Sequence, residues 1–223
     1  RIRQFYLVVE KGVPLAHQLT WSHYCELLPL KDINEINYYV KITIEQCLSK
    51  RQLRERIRNK EYQRLDDKTK LKLINKEEID IKDNIKNPII IKNKLDIDKE
   101  IVSEKILQRL ILEDIPSFLE ELGTGYSFIK NEYKIKLGER YNYIDLLLFN
   151  IKYNCYVVVE LKTAELKKEH IGQIQIYMNY IDKHIKTINQ DKTIGIIITK
   201  RDNHYYIEYS SDKRILTREY ILS

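Results

Sequence analysis

Cysteine is scarce in this chain, with three in 223 residues, at Cys25, Cys47 and Cys155. They are odd in number, far apart and form no C-x-x-C pair, which argues against a disulfide framework or a zinc knuckle. They read as reduced, mostly buried thiols of a cytosolic protein. No apolar run approaches the roughly 18 residues of a membrane span, and no secretory signal opens the chain. G-x-S-x-G, the P-loop and G-x-G-x-x-G are all missing, as is any internal repeat. The histidines, His17, His23, His170, His184 and His204, lack metal-ligand spacing and read as surface or core-edge residues. The first residues, "RIRQFYLVV", read as the middle of a helix, so a longer protein is expected upstream.

What is present describes a folded chain. Hydrophobic residues make up 43% and charged residues 32%, a composition able to bury a core. Lys and Arg number 39 against 33 acidic residues, a net charge of +6. That balance permits a polyanionic partner without requiring one.

Residues 1–65 read as a helical domain. "WSHYCELLPL" places Trp21, Tyr24, Cys25 and Leu28 at the spacing of a buried helix face, with Ser22 as a candidate cap and Pro29 as its end. A second helix is expected over 32–47. Ser49 followed by Gln52 is a capping-box signature for a third, rich in Lys50, Arg51, Arg54, Arg56, Arg58, Lys60 and Arg64. Leu53, Ile57 and Leu65 give it one narrow apolar stripe. Its basic face, led by Arg51, Arg54 and Arg58, is either solvated or meets phosphates. Residues 66–100 are rich in Lys, Asp and Asn, have poor periodicity, and read as a linker.

From 101 the pattern sharpens. Helical spacing at Ile106, Leu110 and Leu119 runs towards a bend at Pro116 and a stop at Gly123–Gly125. "YSFIKNEYKIKL" alternates as a half-buried strand with Ile129, Tyr133, Ile135 and Leu137 inward. Two apolar strands follow, "IDLLLF" and "CYVVVELK". Next comes a helix with Ile171, Ile174, Met178 and Ile181 inward, then strands at 193–200 and 204–210. The order implies an α/β fold around one central sheet.

Three charges interrupt the two apolar strands. Side chains alternate across a strand, so Tyr143, Asp145, Leu147 and Phe149 share one parity, and Tyr156, Val158, Glu160 and Lys162 share another. The link between them is short enough only for an antiparallel hairpin. It brings Asp145 opposite Glu160 or one diagonal step away. Paired carboxylates repel unless a cation sits between them, and a hard divalent ion is bound by such oxygens, water and phosphate. Lys162 could orient a water or neutralise a phosphate in the transition state. The set suits metal-assisted phosphodiester hydrolysis; the plain alternative is an internal salt bridge at a sheet end. A glycosidase could also use two carboxylates but would not need Lys162. Gln173 and Tyr177, one helical turn apart, share a helix face downstream.

"IDLLLF", "VVVELK" and "GQIQIYMNYID" together resemble the PD-(D/E)XK nuclease superfamily, close to its YhcG-like bacterial branch. The resemblance implies a restriction-endonuclease-like core, a mixed central sheet flanked by helices, behind a helical, winged-helix-like N-terminal domain. It implies a Mg²⁺- or Mn²⁺-dependent DNA endonuclease in the cytoplasm. Asp145 corresponds to the motif's aspartate, Glu160 and Lys162 to its (D/E)xK, and Gln173 and Tyr177 to the Q-xxx-Y of the RecB-like subset. Ile144 stands where the motif's proline would be. A glutamate from the first core helix often joins the metal site; Glu104, Glu113, Glu120 and Glu121 are candidates, and Glu121, in "ELG", fits the family's form. "RQFYL", "LTWSHYCELLPL" and "LSKRQLRERI" are similar to the branch's N-terminal domain, with Leu48 replacing a usual tryptophan. The expected organisation is 1–65 helical, 66–100 linker and 101–223 nuclease-like. The expected partners are DNA, a second copy of the chain and proteins docking on the N-terminal helices, with no membrane. The alternative reading is a non-catalytic DNA- or protein-binding module that keeps the fold.

Overall fold

Ser49 and Gln52 close the expected capping box, the Gln52 side chain accepting from the Ser49 amide at 2.9 Å. The computed structural model that contains it describes residues 19–98, 100–201 and 212–223. The chain divides into two units, Arg1–Ile79 and Asp80–Ser223.

The described part of the first unit is helical: α1 (Trp21–Leu27), α2 (Ile33–Glu45), α3 (Lys50–Arg58) and α4 (Asp67–Asn75), with a 3-10 turn at Tyr62–Arg64. Leu27, Ile36, Tyr39, Val40, Leu53 and Leu65 form its core. Inside it Arg56 donates to Glu61 at 2.8 Å, and the Tyr38 hydroxyl donates to the same carboxylate at 2.7 Å. Three expectations fail here. Of the α1 face assigned to burial, Trp21 is 63% exposed and Cys25 is exposed, while Tyr24 packs against the core and Leu28 is half-buried; Leu27, outside that face, is buried. The cap is Thr20 rather than Ser22, because His23 at the third helical position bonds back to the Thr20 amide. Of the cysteines Cys155 is buried, but Cys25 and Cys47 are exposed.

The stretch 66–100, expected as a linker, carries regular structure. It holds α4, a 3-10 turn at Ile81–Asn84 capped by Asp80, and the strand β1 (Ile89–Ile91). Ile81, Ile85, Ile89 and Ile91 are buried in the core of the second unit. The 3-10 turn and β1, of four and three residues, expose no full period to a pattern search, and α4 mixes lysines with few apolar positions.

In the second unit the expected bent helix is two helices, α5 (Glu104–Glu113) and α6 (Ile115–Leu122). The break falls at Asp114, whose side chain caps the Ser117 amide. Pro116 therefore sits in the first turn of α6, where its missing N–H has no helical partner to lose. Then follow β2 (Tyr126–Leu137), β3 (Arg140–Asn150), β4 (Cys155–Glu165), α7 (Lys168–His184), β5 (Ile194–Arg201) and β6 (Ile215–Leu222). The sheet order is β1-β6-β5-β4-β3-β2. β2, β3 and β4 are antiparallel neighbours, while β4, β5, β6 and β1 run parallel. A bulge between Phe128 and Lys130 turns Ile129 outward, against its expected inward place. The strand expected at 204–210 lies outside the described residues, and β6 was not anticipated.

Alternation distributes the apolar residues to two cores. Leu146, Leu148, Val157, Val159, Leu161, Ile196 and Ile198 meet Leu107, Leu110, Ile111 and Phe118 of α5 and α6. Leu147, Val158 and Ile197 meet Ile171, Ile174, Met178 and Ile181 of α7, the inward residues expected for that helix. α7 seats closely on β5 because position 195 is glycine; a Cβ there would stand 2.5 Å from the Met178 sulfur. The result is the expected α/β class, a restriction-endonuclease-like mixed sheet flanked by helices and preceded by a helical unit. Among the described residues no helix is long and apolar enough to cross a membrane.

Candidate active site

The hairpin expected from the short link forms, and its register is fixed. β3 and β4 pair from Asn150 opposite Cys155 to Leu146 opposite Val159. One step further, Asp145 faces Glu160 directly, and there side chains take over from the backbone ladder. The Leu161 amide donates to Asp145 Oδ2 at 2.8 Å, and the Asp145 amide lies 3.5 Å from Glu160 Oε1. The Asp145 carbonyl accepts from Gln108 Nε2 on α5 at 3.0 Å. Asp145 is thus held at its amide, its carbonyl and its carboxylate. Opposite it on β2, between the pairs Asn131–Leu146 and Tyr133–Ile144, Glu132 adopts a positive φ of 46°. Such backbone is uncommon for a non-glycine residue and often marks a functional position.

Lys162 Nζ lies 3.5 Å from Glu160 Oε2 and 3.4 Å from Glu104 Oε2, the latter reaching over from the start of α5. On α7, Gln173 Nε2 donates to the Tyr177 hydroxyl at 3.0 Å, and Tyr177 is buried. The charges of Glu160 and Asp145 act on that phenol, which places it within electrostatic reach of the carboxylates.

Electrostatics mark the pair as unusual. Glu160 is 2% exposed. Burial and then the charge of Asp145 push its carboxyl up to about 8. Burial also raises Asp145, against the lowering effects of the Leu161 amide and Lys162; Glu104 and Glu132 add to the rise. Burial alone would lower Lys162, but Glu160, Glu104 and Asp145 outweigh it, and its pKa rises. Lys162 is therefore an ammonium at neutral pH. Burial raises Tyr177 too, so it stays a neutral phenol.

The donor chemistry fits a hard divalent cation. Four carboxylates, Asp145, Glu160, Glu104 and Glu132, act together with the ammonium of Lys162. Among the described residues no three His, Cys, Asp or Glu side chains are grouped to hold a metal by themselves. Two carboxylates with water and phosphate oxygens completing the shell are the usual arrangement for Mg²⁺.

Glu121 is not in this cluster. Its Oε2 accepts from the Ile90 amide at 2.9 Å, on the edge strand β1. In the sheet order β1 lies three strands from β4, about 14 Å at about 4.8 Å per step. The first-helix glutamate beside Lys162 is Glu104. Gln108 escaped the sequence reading, although it stands four residues after Glu104 and interrupts the inward stripe of Leu107, Leu110 and Ile111. In the first unit, Arg51, Arg54 and Arg58 are exposed on α3. Arg54 donates twice to Glu26, at 2.9 and 2.8 Å, and Lys50 lies 3.7 Å from the same carboxylate.

Comparison with known proteins adds relatives. A family model of the YhcG PDDEXK nuclease domain matches residues 82–222, and one of the DUF1016 N-terminal domain matches residues 1–64. YhcG of Escherichia coli (strain K12) is 25% identical over 192 residues, covering 84% of this chain and 50% of that protein. The chain thus spans about half the length of the curated relative it matches. Among solved structures, a repair endonuclease from Pyrococcus abyssi is 18% identical over 53% of this chain and 46% of its own, with a TM-score of 0.38. The complex of EndoMS with dsDNA is 19% identical over 54% of this chain and 44% of its own, also with a TM-score of 0.38.

Proposed function

The chain belongs to the YhcG PDDEXK nuclease domain family, and on that premise we propose that it is a divalent-metal-dependent endonuclease hydrolysing phosphodiester bonds in DNA. The observation that carries this reading is the pair of half-buried Asp145 and buried Glu160 with Lys162 beside it, at the step where the β3–β4 ladder ends. A structural salt bridge would need one carboxylate for the lysine. Here Glu160 and Glu104 both lie against it, and Asp145 stands beside them with one oxygen, Oδ2, accepting from the Leu161 amide.

Asp145 and Glu160 would hold Mg²⁺ or Mn²⁺. When bound, the ion supplies Lewis-acid polarisation of the phosphoryl oxygen and lowers the pKa of a water. Lys162, charged and fixed between Glu160 and Glu104, donates to the attacking water or to the phosphoryl oxygen where negative charge grows. Gln108 holds the Asp145 backbone so that its carboxylate keeps its aim. Gln173 and Tyr177, paired on α7 within electrostatic reach of the carboxylates, present neutral donors to the phosphate backbone. Glu104 is the glutamate from the first core helix that completes the acid set.

The test is plasmid nicking. The protein with Mg²⁺ is expected to convert supercoiled plasmid to the open circle, and excess EDTA to stop the conversion. Plasmid left supercoiled in Mg²⁺ and in Mn²⁺ alike would refute the enzyme reading.

A further inference from the structure

β3 and β4 diverge on one side, β4 running on beside β5 to Glu165. The pairing of β3 with β4 stops at Leu146, yet its pairing with β2 continues to Arg140. Residues 140–145 therefore form, with β2, a two-stranded ribbon that leaves the sheet at the catalytic pair. One face of the ribbon is inward: Ile135 and Ile144 are buried in the core beneath α7, with Tyr133 and Leu137 packed against them. On the other face Lys134 lies opposite Tyr143 and Lys136 opposite Tyr141. Both tyrosines are outward, at 55% and 52% exposure for Tyr141 and Tyr143.

We propose that this outer face, Lys134, Lys136, Tyr141 and Tyr143, holds the phosphate backbone of duplex DNA beside the reacting phosphate. The inference rests on the nuclease reading and adds to it a surface that the catalytic motif does not contain. Three observations support it. Tyr141, Tyr143 and Asp145 occupy alternate positions of β3. The patch therefore begins about 7 Å from the catalytic aspartate and reaches about 14 Å at about 3.4 Å per residue. A DNA strand presents one phosphate per about 3.4 Å of axis, so that span covers the next few phosphates. The charge is complementary: residues 130–140 carry Lys130, Lys134, Lys136 and Arg140 against Glu132 and Glu139, 4 − 2 = +2. That charge is also unspent. Lys134 Nζ sits 3.8 Å from the Tyr141 ring centroid and Lys136 Nζ 6.0 Å from it, and among the described residues no carboxylate pairs with either. On α3, by contrast, Glu26 takes Arg54 and Lys50, and Glu61 takes Arg56.

The ring geometry selects backbone contact over base stacking. Lys134 covers one face of Tyr141, which closes that face to an unpaired base. It also fixes the ammonium in place, so little side-chain entropy remains to be lost on meeting a phosphate.

The experiment measures binding of a fluorescein-labelled 25-base-pair duplex by anisotropy at several NaCl concentrations, with the full chain in EDTA. The pair K134Q/K136Q and the pair Y141A/Y143A are compared with wild type. Both change exposed residues, and unaltered melting curves verify their folds. Loss of two phosphate contacts should lower the slope of log K against log salt by about 1.8, and weaken binding about 10- to 100-fold near 0.1 M salt. The tyrosine variant should weaken binding with the slope unchanged. If wild type binds duplex and K134Q/K136Q binds it with equal affinity and slope, the ribbon proposal fails and the nuclease reading stands. If wild type binds no duplex at any salt, both fail. A loss confined to a single-stranded probe, or a loss of self-association with duplex binding intact, overturns the proposal in favour of base stacking or of a contact between copies.

Discussion

Exchange of Lys162 for methionine lowers the plasmid-nicking rate about 100- to 1,000-fold, while duplex affinity measured without metal changes little. The side chain sets an ammonium against Glu160 and Glu104, and its raised pKa keeps it charged at any pH where the protein would work. Such a group contributes where charge develops in the transition state, so its loss appears in the rate of the chemical step rather than in binding. Asp145→Asn is expected to act at least as strongly. It keeps the shape of the side chain but removes one of the two carboxylates that would hold the ion, a loss of several kcal/mol of transition-state stabilisation, or about 1,000-fold at about 1.4 kcal/mol per decade. Single-turnover rates under saturating protein measure both. Wild-type rates in either variant would remove these residues from the chemistry and leave a DNA-binding module with an ion pair.

The second large effect concerns pH and the metal-free protein. The sign follows from the direction of the shifts. Glu160 has a folded pKa pushed up to about 8, well above its ordinary 4.5, and Asp145 moves the same way. Below the ordinary value both states hold the proton and the pair has no effect. Between that value and 8 the unfolded chain has lost its proton while the folded chain retains it, so stability falls as pH rises. Above the folded value the slope ends and the full penalty remains. Its size is on the order of a few kcal/mol, or roughly 5–10 °C in Tm for a chain of this length. Melting in EDTA should therefore give a lower Tm at pH 9 than at pH 6. Glu160→Gln should flatten the profile by raising the alkaline end. Mg²⁺ should raise Tm more at pH 8.5 than at pH 5, because it favours the ionised pair. A Tm in EDTA that climbs from pH 6 to 9 would contradict the assignment of a strained carboxylate pair.

Much of this site is legible in the sequence because it sits on long, regular elements. Parity on β3 and β4 puts Asp145, Glu160 and Lys162 in order, and helical spacing pairs Gln173 with Tyr177, whose side chains are hydrogen-bonded. The hairpin's direction follows from its short link. Its register does not, since no Asn-Gly turn pins it; the structure resolves the choice with Asn150 opposite Cys155, and so Asp145 opposite Glu160. The glutamate of the first core helix went astray for a related reason. With a bend expected at Pro116, Glu121 continues the helix that begins at Glu104. With the break at Asp114, Glu121 belongs to a second helix and is engaged by the Ile90 amide. Local signals place residues along an element, and the path of the chain between elements decides which of them meet.

The edge of the sheet was least legible. β1 is three isoleucines after Pro88 in a run of lysines and asparagines, too short to show a period. β6 carries Arg218, buried with its guanidinium on the Ile85 and Thr217 carbonyls, so its pattern reads as mixed rather than alternating. Trp21 illustrates the converse: its spacing matches a buried face, and the residue is exposed while Leu27 and Tyr24 supply the inward contacts of α1. Periodicity identifies a face without saying which neighbour covers it.

The central claim is that Asp145 and Glu160 together hold a divalent ion. Mn²⁺ titration followed by electron paramagnetic resonance, which reads the disappearance of free aqueous Mn²⁺, tests it without reference to activity. Wild type is expected to bind Mn²⁺ at one or two sites that Mg²⁺ displaces, with affinity rising from pH 6 to pH 8.5 as the pair ionises, and Asp145→Asn with Glu160→Gln is expected to lose that binding. Mn²⁺ affinity identical in wild type and in the double variant would contradict the account.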